Sequence, residues 1–297
     1  MDRISCIVLN YNDADTTLSL VGELQNLPCL DSVVVVDNCS TDDSWERLKP
    51  LKGQGIHLLQ TGRNGGYGPG NQAGIDYASQ NLGADYVIVA NPDIHVTNGC
   101  IQQVKAALDQ TVGCALASAM VESPDGRRLF SYWKLMGIGG DLLDTGLFTR
   151  RLFRRWLNVP VEKLKQGGAS GSRLVDAVPG SFFMLRLDRL PAGEAKRVFD
   201  NNIFLYYEEK VLGQKLKALG LKAVLATDCS YIHAHSVSVS KSVSRILDKQ
   251  KLQHESKLYY YREYLHAGPL KMAAARAFLA VVLGEVWFLT EVCGMRW

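Results

Sequence analysis

Three short apolar runs near the start of the chain each stop abruptly on amide or carboxylate side chains. Residues 4–9 end on Asn10-Tyr11-Asn12, residues 33–36 on Asp37-Asn38, and residues 86–90 on Asn91-Pro92-Asp93. Short β-branched and aliphatic runs closed by turn formers read as strands buried on both faces. Between them lie segments of helical spacing. Leu18, Val21, Leu24 and Leu27 follow Asp15 or Thr16, either of which can cap a helix. Residues 43–51 and about 71–81 read as further helices, and 56–60 as a third strand. Strands alternating with helices predict βαβ units around a mostly parallel sheet. Ligands bind such sheets outside the carboxyl ends of the strands. Any one polar end is also an ordinary turn or cap; three delivered to one edge favour a site.

The 297 residues, 47% hydrophobic and 21% charged, suffice for one large domain or two small ones. A formal net charge of +3 is too weak to imply a nucleic-acid partner, and none is expected. The cysteines at 6, 29, 39, 100, 114, 229 and 293 form no CxxC pair. They read as buried thiols of a reducing compartment, not a disulfide framework or zinc site. The N-terminus enters a strand-like run directly, so no secretory signal is expected. Beyond residue 121 the pattern fades, and part of 122–175 reads as a loop. Residues 181–187 and 221–227 read as strands, 204–220 as a helix after its first few residues, and 243 onward as helical.

Asp93 is the best single metal candidate, because a hard divalent cation takes carboxylate oxygens and a nucleotide diphosphate can fill its other positions. Asn91 stands where a second carboxylate would help, so another ligand is needed. His233 supplies one, and His235 lies on the same face of an extended segment; the pattern does not choose between them. The loop NGGYGPGN (64–71) lacks a following Gly-Lys-Ser/Thr and is a poor dinucleotide fingerprint. Its glycines serve either close approach to a ligand or a tight turn. Glu208 and Glu209 open a helix, where two carboxylates complement the dipole. Alternatively one is a general base, its pKa raised by the apolar FLYY lead-in.

Taken in order, IVLNYN, VVVVDNCSTDDS, NGGYGPGNQAG, VANPDI, GSFFMLR, FLYYEEKVLGQKLKALG and YIHAHSVS resemble family 2 glycosyltransferases of the GT-A fold, in particular a bacterial rhamnosyltransferase-like branch. The likeness covers roughly residues 3–240. It implies an α/β fold with a Rossmann-like, mostly parallel sheet flanked by helices and a C-terminal helical extension. Residues 1–120 would bind the nucleotide sugar, 121–240 the acceptor, and 241–297 would form a helical segment. By the same likeness Asn10 and Tyr11 line the nucleotide pocket, and Asp37 binds base or ribose, with Asn38, Ser40 and Asp42 shaping the turn. Asn64, Gly65, Gly66 and Asn71 border the donor. Asn91-Pro92-Asp93 replaces the family's Asp-x-Asp, with Asp93 on the metal. Gly180 and Ser181 border the acceptor, Glu209 occupies the base position, and His233 matches a late metal or diphosphate ligand.

Two departures stand out. Glu208-Glu209-Lys210-Val211-Leu212 replaces the usual Glu-Asp-x-Asp-Leu. The extra methylene moves the carboxylate by roughly 1.5 Å and leaves the base between Glu209 and Glu208. Gly-Gly-Phe-Asp is reduced to Val198-Phe199-Asp200.

The implied activity is metal-dependent, inverting transfer, with Mg²⁺ or Mn²⁺, of rhamnose or another hexose from a nucleotide-diphosphate sugar. The acceptor would be a glycan or polyprenyl-diphosphate-linked sugar, used in cell-surface polysaccharide synthesis in the cytoplasm at the inner face of the plasma membrane. Two other classes compete. A non-catalytic scaffold would explain the altered Glu-Glu-Lys-Val. A sugar-phosphate nucleotidyltransferase would need a basic glycine-rich loop where Asn10-Tyr11-Asn12-Asp13 stands. In GLFTRRLFRRWL (146–157), Arg150, Arg151, Arg154 and Arg155 alternate with apolar residues. On one helix they form a basic stripe, either solvated or laid on an anionic bilayer. The apolar tail from 272 carries Arg276, Glu285 and Glu291. It reads as a peripheral helix or homodimer contact rather than a membrane span.

Overall fold

The apolar runs are strands in the computed structural model, which describes residues 2–191, 193, 197–234 and 245–294. His235 lies outside the described residues. Strand β1 (Ile4–Asn10) pairs in parallel with β2 (Ser32–Asp37) and with β4 (Tyr86–Ala90), and β2 pairs in parallel with β3 (Ile56–Gln60). Val33 to Val36 are all buried, as strands covered on both faces must be. The register sets Asn10 opposite Asp37, so the two polar ends share one edge.

The sheet continues beyond β4 as a mixed half. Strands β5 (Ile94–His95), β6 (Cys114–Glu122), β7 (Ser172–Val175), β8 (Phe182–Arg186) and β9 (Lys222–His233) complete it. The order is β3-β2-β1-β4-β8-β6-β9-β5, with β7 also on β9. The architecture is the α/β class expected, parallel through its first half and flanked by helices.

Several boundaries moved. Helix α1 (Ala14–Leu24) starts ahead of Asp15 and Thr16, with Asp13 in the capping position. The Thr16 hydroxyl donates to Asp13 Oδ1 at 2.8 Å. Helix α2 (Ser44–Leu48) is short and tightens into a 3₁₀ turn at Lys49–Leu51, where Pro50 withholds a donor. Helix α3 (Tyr67–Asn81) begins four residues before the expected start, so most of the glycine-rich stretch is its first turn. The glycines there allow close packing on β1: a methyl group on Gly74 would stand 2.4 Å from Ile7 Cγ2. Helix α4 (Asn98–Gln110) follows β5, its N-terminus capped by Thr97.

Part of 122–175 is loop, as expected, but the segment also carries short helices. These are α5 (Ile138–Thr145), α6 (Leu147–Leu152) and α7 (Arg154–Leu157). The chain breaks at Phe153 between α6 and α7, so the arginines do not form one continuous helical stripe. Strand β9 is longer than expected, because a bulge lets pairing with β6 resume at Ser230. His233 is therefore its last residue, not a residue beyond it. Helix α8 (Glu208–Ala218) precedes β9.

Two compact units result. The first spans Met1–Lys134, Lys165–Phe204 and Glu208–Ser242 and holds the sheet. The second spans Leu135–Leu164, Leu205–Tyr207 and Val243–Trp297, with α9 (Ile246–Glu263) and α10 (Pro269–Trp287). Its centre is a buried carboxylate. Asp141 Oδ2 accepts from Tyr207 Oη at 2.6 Å and Tyr261 Oη at 2.8 Å, and lies 3.3 Å from Lys257 Nζ. Burying this pair is tolerable because both charges are hydrogen-bonded. The helical stretch Pro269–Val292 has mean hydropathy 1.7 and is long and apolar enough, by length and composition, to cross a membrane.

Candidate active site

The end of β1 and the turn after β2 form one hydrogen-bonded block. Asp37 is wholly buried. Its Oδ1 accepts from Asn10 Nδ2 at 2.8 Å and Ser40 Oγ at 2.5 Å. Its Oδ2 accepts from the Ser40 amide at 3.1 Å and Gln60 Nε2 at 3.2 Å. Four donors offset the cost of burying the carboxylate. Asn10 is fixed in turn by the Thr17 hydroxyl at 2.9 Å. Asn12 and Cys39 adopt positive φ, turning the chain sharply where the strands stop. Tyr11 stands half-buried at this edge.

Asn38 joins this block to the glycine stretch. Its Nδ2 donates to Asn64 Oδ1 at 2.9 Å and to the Gly66 carbonyl at 3.0 Å. Gly66 must be glycine: its φ is +95°, and a methyl group there would lie 2.1 Å from the Phe204 carbonyl oxygen. That approach lets the Tyr67 amide donate to the same oxygen at 2.9 Å. Gly65 adjoins Gly66 in the turn, and Asn71 Nδ2 ties the turn to the Tyr67 carbonyl at 3.0 Å.

At the opposite side of the strand ends, β5 pairs antiparallel with β9, and the Ala234 amide donates to the Asp93 carbonyl at 2.9 Å. This sets Asp93 Oδ1 3.3 Å from His233 Nε2, with both side chains mostly buried. A carboxylate oxygen beside an imidazole nitrogen fits a divalent cation. Among the described residues no group of three or more His, Cys, Asp and Glu is gathered, so diphosphate oxygens and water must complete such a site. The Asn91 amide donates to the Ser181 carbonyl at 2.8 Å, and Ser181 Oγ meets Tyr231 Oη at 2.7 Å. The ends of β4 and β9 and the start of β8 are thus one connected edge.

Glu208 and Glu209 form the first turn of α8, Glu208 buried and Glu209 partly so. Burial pushes the Glu208 carboxyl well above the ordinary range, and the Glu209 charge adds to this. Burial also raises Glu209, but its own amide and that of Gly180 favour its ionised form. Glu208 Oε1 has no hydrogen-bond partner among the described residues, and a neutral carboxyl bears that best. Both acids are raised, Glu208 further through burial and the Glu209 charge, so Glu209 is the first of the pair to ionise. Tyr206 and Tyr207, immediately before them, both take positive φ, 71° and 74°, which costs about 1–2 kcal/mol each.

Asn10, Asp37, Asn38, Asn64 and Gly66 are thus joined in one cluster at the strand ends, and Asn91, Asp93, Ser181 and His233 in another, with Glu209 beside Gly180. Sequence reasoning missed Tyr67, Tyr231 and the Asp141–Lys257 pair. Tyr67 left one signal, as the single aromatic residue among the glycines; the buried acid and base left none, since neither sits in a motif.

The family model described as glycosyl transferase family 2 matches residues 5–163. The chain is 28% identical over 126 residues to a low-salt glycan biosynthesis hexosyltransferase of Haloferax volcanii, covering 42% of this chain and 39% of that protein. It is 26% identical over 247 residues to an N-acetylglucosaminyl-diphospho-decaprenol L-rhamnosyltransferase of Mycobacterium tuberculosis, covering 80% of this chain and 76% of that one. Among solved structures, a mannosyltransferase from Pyrobaculum calidifontis in complex with GDP-Man and Mn²⁺ superposes with a TM-score of 0.58 at 14% identity. That match covers 99% of this chain and 76% of the other, and it shows the fold.

Proposed function

Since the chain belongs to glycosyl transferase family 2, matched over more than half its length, we propose an inverting transferase whose base is Glu209. The sugar, rhamnose or another hexose, comes from a nucleotide-diphosphate donor. The acceptor is a glycan or a polyprenyl-diphosphate-linked saccharide of cell-surface polysaccharide synthesis. The relative active on a decaprenyl-diphosphate acceptor supports this choice.

The single observation that carries the reading is the meeting, at one sheet edge, of the Asp93–His233 pair with a partly exposed carboxylate that ionises ahead of its neighbour. Asp93 and His233 would hold Mg²⁺ or Mn²⁺, which offsets charge on a departing diphosphate. Asn10, Tyr11 and the Asp37 turn form the nucleoside edge; Asn38, Asn64, Gly65, Gly66, Asn71 and Asn91 bound the donor. Asp37, with both oxygens engaged, shapes this edge and meets base or ribose only by exchanging one of its donors. Ser181 and Gly180 border the acceptor. Glu209 takes the proton of the acceptor hydroxyl as that oxygen attacks the anomeric carbon, and the bond to the diphosphate breaks on the opposite face. Neutral Glu208 keeps a second negative charge out of the pocket.

Residues 1–120 carry the donor functions and 121–240 the acceptor functions, with 241–297 as the helical extension. Phe148, Leu152 and Trp156 are exposed beside Arg150, Arg151, Arg154 and Arg155. This mixture of apolar and basic groups supports peripheral contact with an anionic membrane at its cytoplasmic face.

The test is a panel of nucleotide sugars with Mn²⁺ or Mg²⁺, read by nucleoside diphosphate release. One preferred donor, with release stimulated by a polyprenyl-diphosphate-linked saccharide, supports the reading. No release from any donor, together with no nucleotide-induced rise in melting temperature, overturns it.

A further inference from the structure

Tyr67 follows a glycine that no other residue can replace without a collision, and its amide is anchored on the Phe204 carbonyl. Its ring packs edge-on against Phe199, with centroids 5.6 Å apart. The phenol then donates to the Gly180 carbonyl at 2.5 Å. On its other side Gly180 faces the base: its amide lies by the Glu209 carboxylate and favours the ionised form. A methyl group on Gly180 would stand 3.2 Å from Glu209 Oε1 and 3.3 Å from Tyr67 Oη. Gly180 is therefore held between the phenol and the carboxylate. A glycine has the most backbone freedom to lose, and a hydrogen bond to one of its peptide groups restricts the other.

We propose that Tyr67 is a positioning residue for the base, holding the Gly180 carbonyl so that the Gly180 amide stays aimed at the Glu209 carboxylate. The glycine stretch then does more than border the donor: from Asn38 and Gly66 at the nucleotide edge it reaches across to orient the proton acceptor. This rests on the reading of Glu209 as the base.

An amide N–H directed at a carboxylate favours its ionised form, so Tyr67 sets how readily Glu209 gives up its proton. The other ionisable groups facing this point are Glu208 and Lys210 on the same helix, Tyr67 on α3 and Tyr231 on β9. Burial raises both phenols, with the Glu209 charge adding to it, so both remain neutral donors while Glu209 titrates. Tyr231 is occupied by Ser181, which leaves Tyr67 as the phenol that acts on Gly180.

The experiment is a ¹³C NMR titration of the full chain labelled at glutamate Cδ, with the Glu209 signal identified by its loss in Glu209→Gln. Tyr67→Phe keeps the ring and removes only the donor. The expected result is a Glu209 midpoint raised by about one pH unit with the melting temperature within a few degrees of the parent. In the transfer assay kcat falls about tenfold, roughly the worth of one hydrogen bond, and the donor KM is unchanged. Gly180→Ala, which displaces the same peptide by contact with Glu209, is expected to move the midpoint in the same direction. Phe199→Leu disturbs the ring packing, keeps the hydroxyl and is expected to leave the midpoint in place. An unmoved Glu209 midpoint in Tyr67→Phe, with transfer abolished in Glu209→Gln, overturns the proposal and leaves the base assignment standing. Full transfer by Glu209→Gln overturns both.

Discussion

Asp93 Oδ1 and His233 Nε2 lie 3.3 Å apart although they come from distant parts of the chain. The antiparallel pairing of Ile94 with His233 and the bond from the Ala234 amide to the Asp93 carbonyl enforce this proximity. The pair is built by the backbone and does not depend on side-chain flexibility. Two protein donors alone make a weak site, so the cation and the diphosphate should bind together. His233→Ala is expected to weaken Mn²⁺ binding in the presence of nucleoside diphosphate by about 10- to 100-fold, as measured by electron paramagnetic resonance of free Mn²⁺. Equal affinity in the variant would remove His233 from the site.

Burial raises the Glu208 carboxyl further than that of Glu209, because Glu208 is the more deeply buried of the two. Glutamine mimics a neutral glutamic acid, so Glu208→Gln should retain transfer within about threefold. Because the Glu209 pKa is raised, the ionised base is lost as pH falls, at a midpoint above the ordinary glutamate value of about 4.3. The pH–rate profile should therefore show an acidic limb displaced upward, retained in Glu208→Gln. A Glu208→Gln enzyme as inactive as Glu209→Gln would show that Glu208 is ionised during turnover.

Gly66 combines φ of +95° with a built methyl contact of 2.1 Å to the Phe204 carbonyl oxygen. Gly66→Ala should cost more than about 2 kcal/mol, read as a lower midpoint in denaturant. Gly62→Ala, where no atom lies within 4 Å, should change stability by no more than about 0.5 kcal/mol. Similar effects at both positions would contradict the close approach.

In the second unit, Lys257 and Asp141 are each 2% exposed at the side chain and 3.3 Å apart. Removing one member strands a buried charge. Lys257→Met is expected to cost about 3–5 kcal/mol. Pairing it with Asp141→Asn should recover part of that loss, because no charge is then left alone. A double variant whose loss is the sum of the two singles would show that the pair is uncoupled.

Much of the fold was legible because the β1, β2 and β4 runs are apolar on both faces and stop on polar residues, a pattern a buried parallel strand demands. The placement of the candidate residues was legible for the same reason, since Asp37 ends β2, Asp93 directly precedes β5 and Glu209 lies in the first turn of α8. The helix starts were not. Asp13 holds the capping position of α1 without an N-terminal side-chain bond to the backbone, and a helix beginning inside a glycine cluster at Tyr67 contradicts local propensity. Tertiary packing on Leu9 and Ile7 decides it. The bulge that carries β9 on to His233 depends on pairing with β6, and the break at Phe153 has no glycine or proline to announce it. The roles of Tyr67 and Gly180 depend on a contact between distant segments, which periodicity does not report.

The most direct test of the account separates binding from turnover in Glu209→Gln. With the preferred nucleotide sugar and Mn²⁺, the variant is expected to show the parent's rise in melting temperature while transfer to the acceptor falls by about a hundredfold or more. Transfer at the parental rate would contradict Glu209 as the base, and with it the central claim that this sheet edge pairs a donor site with a proton-accepting carboxylate.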